Sequence, residues 1–177
     1  MNIGKFCINS LLVSAALLAL PAIAEDQVSP DLKSISAHLQ RLEDTESIRH
    51  LLDRYMELNE SRNYTEYAKL FARDGELVLR RGSATGPAAI EAMLVKNFGG
   101  SNAPGPLAGS VHVLSNIKIT VTGNTATATS RWTLLAKTEE NRARLGGTGR
   151  YGDKLVKEDG VWKFKQRVVY RDIPSDN

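Results

Sequence analysis

The stretch VHVLSNIKITVTGNTATATSRW, residues 111–132, predicts two β-strands joined by a tight turn at TGN. Apolar and polar residues alternate on both sides of the turn, which is the period of a strand with one covered face. In the second strand, one set of alternate residues consists of threonines and one arginine, so it should face solvent. The residues between them are small or apolar and should face the core: Ala126, Ala128, Ser130, Trp132 and Leu134.

Helical spacing dominates the chain before this hairpin. Ser29, Pro30 and Asp31 supply an N-cap, a first-turn proline and a first-turn acid. Apolar residues follow at spacings of three and four, and a further set continues the stripe beyond Asp44: Leu32, Ile35, Leu39 and Leu42, then Ile48, Leu51, Leu52, Tyr55 and Met56. This stripe predicts one long amphipathic helix, or two abutting helices with the second recapped at Asp44 or Thr45.

Further elements follow on both sides of a glycine-rich stretch. Before it we expect a short helix ended by Gly75, a strand, a turn and a third helix: residues 63–75, 76–81, 82–86 and 87–98. Residues 99–110 hold four glycines and two prolines, which predicts a mobile loop. After it we expect an antiparallel meander: residues 111–121, 125–136, 147–157 and 161–171.

The last strand also has two predicted faces. We expect one to be apolar and inward: Trp162, Phe164, Val168 and Tyr170. We expect the other to be basic and exposed: Lys163, Lys165, Arg167 and Arg171. Three helices and a meander make a single α+β domain, in which the helices cover one side of a curved antiparallel sheet.

The N-terminus has the pattern of a secretory leader. An apolar run follows Lys5, and Ala22 and Ala24 form an A-x-A cleavage site. We therefore expect a signal peptide over residues 1–24, a mature domain over residues 25–177, and a periplasmic or secreted location with no membrane contact after cleavage. An uncleaved anchor is the alternative, although polar residues interrupt the apolar run and it is short for a membrane span.

Composition excludes several classes of function. Cys7 is the only cysteine and lies within the predicted leader, so thiol catalysis and cysteine-based metal sites are excluded. The three histidines are scattered and lack metal-ligand spacing, so we expect no metal and no cofactor. The formal net charge of +3 is spread along the chain, which indicates no nucleic-acid partner.

Four segments together resemble the SnoaL-like domains of the nuclear transport factor 2-like superfamily. They are LEDTESIRHLLDRYMELNESRNYTEYAKLFARDGEL, GPAAIEAML, the hairpin quoted above and GRYGDKLVKEDGVWKF, within a core of about residues 40–171. The resemblance implies a cone, in which a curved antiparallel sheet wraps around three N-terminal helices with an apolar pocket at the wide end. It also implies a homodimer through the outer face of the sheet, where Thr127, Thr129 and Thr133 offer an uncharged strip.

The same resemblance suggests catalytic residues. His112 matches the strand histidine of scytalone-dehydratase-like members, and Glu60 lies four residues before Tyr64, where those members carry a pocket aspartate. A carboxylate that orients an imidazole suits acid/base chemistry next to a carbonyl. We therefore expect His112 to point inward and Glu60 to lie within reach of it, where the carboxylate would raise the pKa of His112. We also expect Tyr151 to donate a hydrogen bond to a substrate oxygen.

Other candidates are ligand-contact residues: Tyr55, Asn59, Ser130, Trp132 and Asp153. For Tyr55 and Trp132 core packing is the favoured alternative, and for Asp153 it is a pair with Arg150 or a nearby lysine. Ser130 and Asn59 stand where the dehydratases have a second histidine and a tyrosine. Leu79 stands near the position of the isomerases' general base, so neither chemistry transfers intact.

Two functions from different classes follow. The first is a cofactor-free lyase or isomerase that acts on a small, mostly apolar organic molecule, with His112 as the acid/base. The second is a binding protein that uses the same pocket without chemistry. A third possibility is an interaction subunit that works through its sheet face, like the small subunits of ring-hydroxylating dioxygenases.

Overall fold

The computed structural model describes residues 30–100 and 110–173, so the predicted leader and most of the glycine-rich loop lie outside the described residues. The helices are α1 (Pro30–Glu60), α2 (Tyr64–Ala68) and α3 (Pro87–Phe98). The strands are β1 (Phe71–Leu79), β2 (Gly82–Thr85), β3 (Val111–Thr122), β4 (Thr125–Lys137), β5 (Ala143–Glu158) and β6 (Val161–Ile173). None of the helices in these ranges is both long and apolar enough to cross a membrane.

The strands form one curved, unclosed sheet in the order β2-β1-β6-β5-β4-β3. This confirms the α+β architecture, with the helices on one side. The sheet is mixed rather than wholly antiparallel, because β1 pairs with β6 in parallel. The strands from β3 to β6 form the expected meander, and its last strand, β6, lies beside β1 and runs in the same direction.

The segment after α2 differs from the expectation. Residues 71–75 begin β1 instead of ending a helix, and Gly82–Thr85 form β2 instead of a turn. The spacing of Tyr67 and Phe71 fits a helix, but Phe71 reaches the same aromatic core from a strand, with its ring 5.2 Å from that of Phe164. A Cβ on Gly75 would lie 2.5 Å from the carbonyl oxygen of Phe164, so only glycine allows this approach.

The parity predicted for β4 is confirmed, since its small and apolar residues are buried: Ala126, Ala128, Ser130, Trp132 and Leu134. Two other strands change parity at a β-bulge, where one extra residue shifts the side chains that follow to the opposite face. In β3 the register shifts between Ser115 and Lys118, and Asn116 has a φ of 52°. His112 before the bulge and Ile117 after it therefore both face the helices.

The bulge in β6 overturns part of the face assignment for that strand. Phe164 pairs with Leu155 but Gln166 pairs with Lys154, which makes Lys165 the extra residue. Arg167, expected in solvent, is consequently 0% exposed, whereas Tyr170, expected inside, is 43% exposed.

The N-terminal half of α1 departs from the predicted continuous stripe. Residues 31–43 are all exposed, including the four leading apolar residues: Leu32, Ile35, Leu39 and Leu42. The first buried position is Asp44, and from Ile48 onward the apolar side chains pack against the sheet. We call residues 31–43 the arm of α1.

Asp44 fastens α1 to the sheet at the point where burial begins. Its Oδ1 accepts hydrogen bonds from Lys157 Nζ at 2.6 Å and from Trp162 Nε1 at 2.9 Å. Burial by itself would raise the pKa of Asp44, but the hydrogen bonds and charge from Lys157, with the bond from Trp162, outweigh it and hold the pKa below its ordinary value. Asp44 is therefore a carboxylate at neutral pH.

We expect Asp44→Ala to lower the free energy of unfolding by about 2 kcal/mol, because Trp162 Nε1–H would be left without an acceptor in the core. Since the pKa of Asp44 is lower in the folded state than its ordinary 3.8, this contribution is present above that pH and is lost as the pH falls through the folded pKa. Urea denaturation at several pH values measures both effects. Asp53→Ala, at an exposed position of the same helix, is the control, and equal losses from both variants would refute the anchoring role.

Candidate functional site

The structure brings Glu60 and His112 together where α1 ends beside β3. The backbone N–H of His112 donates to Glu60 Oε1 at 2.6 Å, and the same oxygen lies 3.7 Å from Nδ1 of the imidazole. The His112 side chain is 10% exposed and that of Glu60 is 34% exposed. The histidine therefore faces inward beside a carboxylate, as expected, although the hydrogen bond goes to its backbone and not to its ring.

The pKa of His112 moves opposite to the expectation. Burial lowers the pKa, and the nearby carboxylate of Glu60 raises it by less, so the pKa lies below the ordinary 6.5. The imidazole is therefore neutral at neutral pH. Its Nδ1 is buried and makes no hydrogen bond within the described part of the chain. A neutral imidazole next to a carboxylate is suited to accept a proton.

A second polar group lies deeper, between the C-terminal half of α1 and the sheet. Asp153 on β5 forms a two-pronged ion pair with Arg167 on β6, with Nε–Oδ1 at 2.7 Å and Nη2–Oδ2 at 2.8 Å. Both side chains are 0% exposed. The expectation that Asp153 pairs with Arg150 is wrong, because Arg150 faces outward and contacts Asp172 at 3.2 Å.

Three aromatic rings surround the Arg167 guanidinium. Its Cζ lies 3.9 Å from the ring centre of Tyr55, 4.3 Å from that of Tyr151 and 4.2 Å from that of Phe164. Burial opposes the positive charge, but Asp153 outweighs it and holds the pKa of Arg167 above its ordinary value. Burial also raises the pKa of Tyr55 and Tyr151, so both hydroxyls stay protonated and can donate hydrogen bonds.

Arg167 is the residue that sequence reasoning missed. Regular alternation along β6 assigns it to solvent, and only the bulge turns it inward. One signal was available: Asp153 shares its parity with Tyr151 and Leu155, and a buried acid requires a buried partner.

The remaining predicted residues lie between these two groups or beside them. Ser130 is 3% exposed and pairs across the sheet with Tyr151, and its Oγ makes no hydrogen bond within the described residues. Trp132 is buried, and its Nε1 donates to the backbone oxygen of Tyr170 at 3.1 Å. Asn59 is half-buried near the end of α1.

The predicted site residues thus form two groups rather than one. His112 pairs with Leu134 on β4. On the inner face of that strand, Trp132 lies between Leu134 and Ser130. Glu60 and His112 occupy the outer end of the inner face. Tyr55, Tyr151 and Asp153 belong to the aromatic interior.

Two surface depressions lie away from both groups. One, of about 570 Å³, is on the outer face of the sheet and includes Thr120, Thr127 and Lys154. The other, of about 560 Å³, lies between β2 and α3. Within residues 30–100 and 110–173, no cluster of three histidine, cysteine or acidic residues is placed to hold a metal ion.

Residues 40–168 match the sequence profile of the SnoaL-like domain. A solved nuclear transport factor 2-like protein from Novosphingobium aromaticivorans is 26% identical, with 79% of this chain and 89% of that chain covered and a TM-score of 0.65. A protein from the same organism, provisionally identified as a scytalone dehydratase, is 27% identical over 77% of this chain and 89% of that chain, with a TM-score of 0.62. No curated protein matches the chain.

Proposed function

The chain belongs to the SnoaL-like domain family, and from this premise we propose that it binds a small, mostly apolar organic molecule beside His112 and acts on it as a cofactor-free lyase or isomerase. One observation carries the proposal. His112 Nδ1 is buried next to Glu60 without a hydrogen-bond partner in the described part of the chain. A buried nitrogen without a hydrogen bond destabilises the fold by about 1–3 kcal/mol. Its presence here is explained if a bound ligand supplies the missing hydrogen bond.

The proposed step is proton transfer. The neutral imidazole of His112 removes a proton from a carbon next to a carbonyl, and the electron pair of the broken C–H bond forms a double bond to the carbonyl carbon while the carbonyl oxygen takes the negative charge. In a lyase the carbonyl then re-forms, the electron pair makes a double bond to the next carbon, and the hydroxyl on that carbon takes the proton from the imidazolium and leaves as water. In an isomerase the proton returns to a different carbon. Glu60 holds the strand backbone at His112 and stabilises the imidazolium that forms in between.

The surroundings favour an apolar ligand with few polar groups. Leu114 shares the inner face of β3 with His112, and Leu134 lies across from it on β4. The likeness to the protein provisionally identified as a scytalone dehydratase supports a cyclic, oxygenated substrate. Tyr151 is 4% exposed, and its ring centre lies 4.3 Å from the Arg167 guanidinium, so we assign it to packing around Arg167.

A non-catalytic binding protein is the second candidate. Ser130 stands where the dehydratases place a second histidine, and its buried hydroxyl can hydrogen-bond to a ligand oxygen but does not act as an acid or a base at neutral pH. In that case His112 only donates or accepts a hydrogen bond. Both candidates require binding, and only the first requires turnover.

Assembly and location complete the proposal. We propose that the protein acts in the periplasm or outside the cell after removal of residues 1–24. We also propose a homodimer through the outer face of the sheet. Thr127 and Thr129 are exposed there, and an exposed apolar group lies at the other end of the same face on β3, β4 and β5: Val111, Val113, Leu135 and Leu145.

Labelling the three histidines with ¹³C tests binding in the full chain. We expect one ring signal, absent from His112→Gln, to titrate below pH 6.5 because burial disfavours the charged imidazolium. A panel of cyclic hydroxyketones that includes scytalone should shift this signal and raise the melting temperature. His50, 75% exposed with Glu46 at 3.6 Å, is the matched control and should not respond. If a compound binds and the His112 signal stays unchanged, the binding site is not beside His112.

A further inference from the structure

The arm of α1 carries an apolar stripe that the domain does not cover. Its members are Leu32, Ile35, Leu39 and Leu42, which are 53–56% exposed. Their spacing of three, four and three residues is that of the a and d positions of a coiled coil. A run of four large apolar side chains on one exposed helix face marks an interaction surface.

The stripe points away from its own domain. At about 100° per residue, its mean direction differs by roughly 160° from that of the α1 side chains that pack on the sheet. Those side chains include Ile48, Leu52 and Tyr55, which are at most 3% exposed. A helix that continues straight from the domain therefore presents its core-facing side and its stripe in opposite directions.

We propose that the arms of two copies of this chain pack as a parallel coiled coil through Leu32, Ile35, Leu39 and Leu42. Because the stripe is opposite the domain-facing side, the two domains lie on the outer sides of the helix pair and do not collide. This contact is separate from the sheet face and does not depend on the proposed function.

The side chains that flank the stripe favour the parallel orientation. With Leu39 at position a, His38 is at g and Glu43 is at e, and g pairs with the e position five residues later on a parallel partner. Each copy thus places an imidazole beside a carboxylate of the other. In an antiparallel pair, His38 would instead lie beside His38 of the other copy, and two imidazoles do not complement each other.

The arm is a poor fit for a membrane surface. Lys33 and Arg41 are balanced by Asp31 and Glu43, so residues 31–43 have no net charge and contain no aromatic residue. Helices that lie on membranes combine a cationic face with aromatic anchors. A second copy of the chain matches this neutral stripe better.

The seam ends where the domain begins. Beyond Leu42 the same side of α1 carries charged residues, with Glu46 and Asp53 next in the a positions. Two heptads are shorter than the three or four that sustain an independent coiled coil. The arm is already helical and joined to a folded domain, so we expect an association that is reversible and depends on protein concentration.

Cysteine cross-linking tests the proposal directly. In a full chain carrying Cys7→Ser, Leu42→Cys places two thiols face to face across the seam, whereas Ala37→Cys places them on the far side of the same arm. We expect Leu42→Cys to form a disulfide-linked dimer at least about tenfold faster than Ala37→Cys under mild oxidation, because the paired arms raise the effective thiol concentration. Equal rates would overturn the proposal.

A second variant removes the contact without touching the core. Leu39→Glu with Leu42→Glu should lower the assembled mass in light scattering and leave the melting temperature of the domain unchanged, since both side chains are exposed. Unchanged mass would refute the arm contact. Co-sedimentation of the protein with vesicles of phosphatidylglycerol and phosphatidylcholine would overturn the proposal in favour of a membrane contact. A monomer whose arm is protected from hydrogen exchange by residues 1–29 would overturn it in favour of a contact within one chain.

Discussion

Asp153→Asn is expected to lower the free energy of unfolding by about 3–5 kcal/mol, because it leaves the Arg167 guanidinium charged and uncompensated inside the protein. The partners are 0% exposed and joined by two hydrogen bonds of 2.7 and 2.8 Å. Asparagine keeps the size of the side chain, so lost packing contributes little. The urea midpoint of the full chain measures the change.

Two variants separate charge from packing. Asp172→Asn removes the acid that contacts Arg150 at 3.2 Å on the partly exposed outer face, where an ion pair contributes at most about 1 kcal/mol. Asp153→Leu combined with Arg167→Met removes both charges and should be close to the wild type in stability, since apolar replacement of a buried pair is often neutral or better. If Asp153→Asn and Asp172→Asn cost the same, the buried pair is not what holds the interior together.

The Arg167 pair also explains why the interior is organised as it is. The guanidinium fills the space between the rings of Tyr55, Tyr151 and Phe164, so polar atoms occupy the place where the family resemblance implies an apolar pocket. The Glu60–His112 pair lies apart from this group, at the outer end of the same inner face.

Regular periodicity was enough to predict most of the fold from sequence. The limits of α3, the strand alternation in β4 and the start of α1 follow from proline, glycine and the period of the apolar residues. These are local properties, so a single sequence contains them. The Glu60–His112 contact is not local, since the two residues are 52 positions apart, and it was predicted from the family resemblance instead.

The features of the fold that could not be predicted from sequence depend on single residues that interrupt the regular alternation. The extra residue at Lys165 reverses the faces of β6 and buries Arg167, and the extra residue near Asn116 lets His112 and Ile117 share one face. No side-chain pattern announces a bulge, because it depends on how neighbouring strands are registered. The change of apolar face along α1 was missed for a related reason: the spacings of three and four hold on each side of Asp44, but Leu42 and Ile48 are six positions apart, and the direction turns there by nearly half a circle.

The sign of the pKa shift at His112 was also beyond the sequence. A nearby carboxylate favours the imidazolium, and burial opposes it. Which effect is larger depends on how completely the ring is enclosed, and at 10% exposure of the side chain the burial effect is the greater. His112 is for this reason better suited to begin a reaction as a base than as an acid.

His112→Gln is expected to reduce turnover of a cyclic hydroxyketone substrate by about 10²–10⁴-fold, the usual contribution of a positioned general base, while glutamine preserves polarity and approximate size. Because the base is the neutral form, activity should rise with pH through the pKa of His112, below 6.5, and stay level above it. Glu60→Gln removes the group that raises this pKa, so the pH profile should move further toward acid.

The matched control for that loss is His50→Gln, which alters an exposed histidine whose Nε2 lies 3.6 Å from Glu46. It should leave turnover and the pH profile unchanged, since His50 is 75% exposed on the outer side of α1. Spectrophotometric rates across pH 4–9 measure all three variants, over about two pH units on each side of an ordinary histidine pKa. If His112→Gln binds the ligand as tightly as the wild type and neither protein turns it over, His112 is not a catalyst, and the same site serves binding alone.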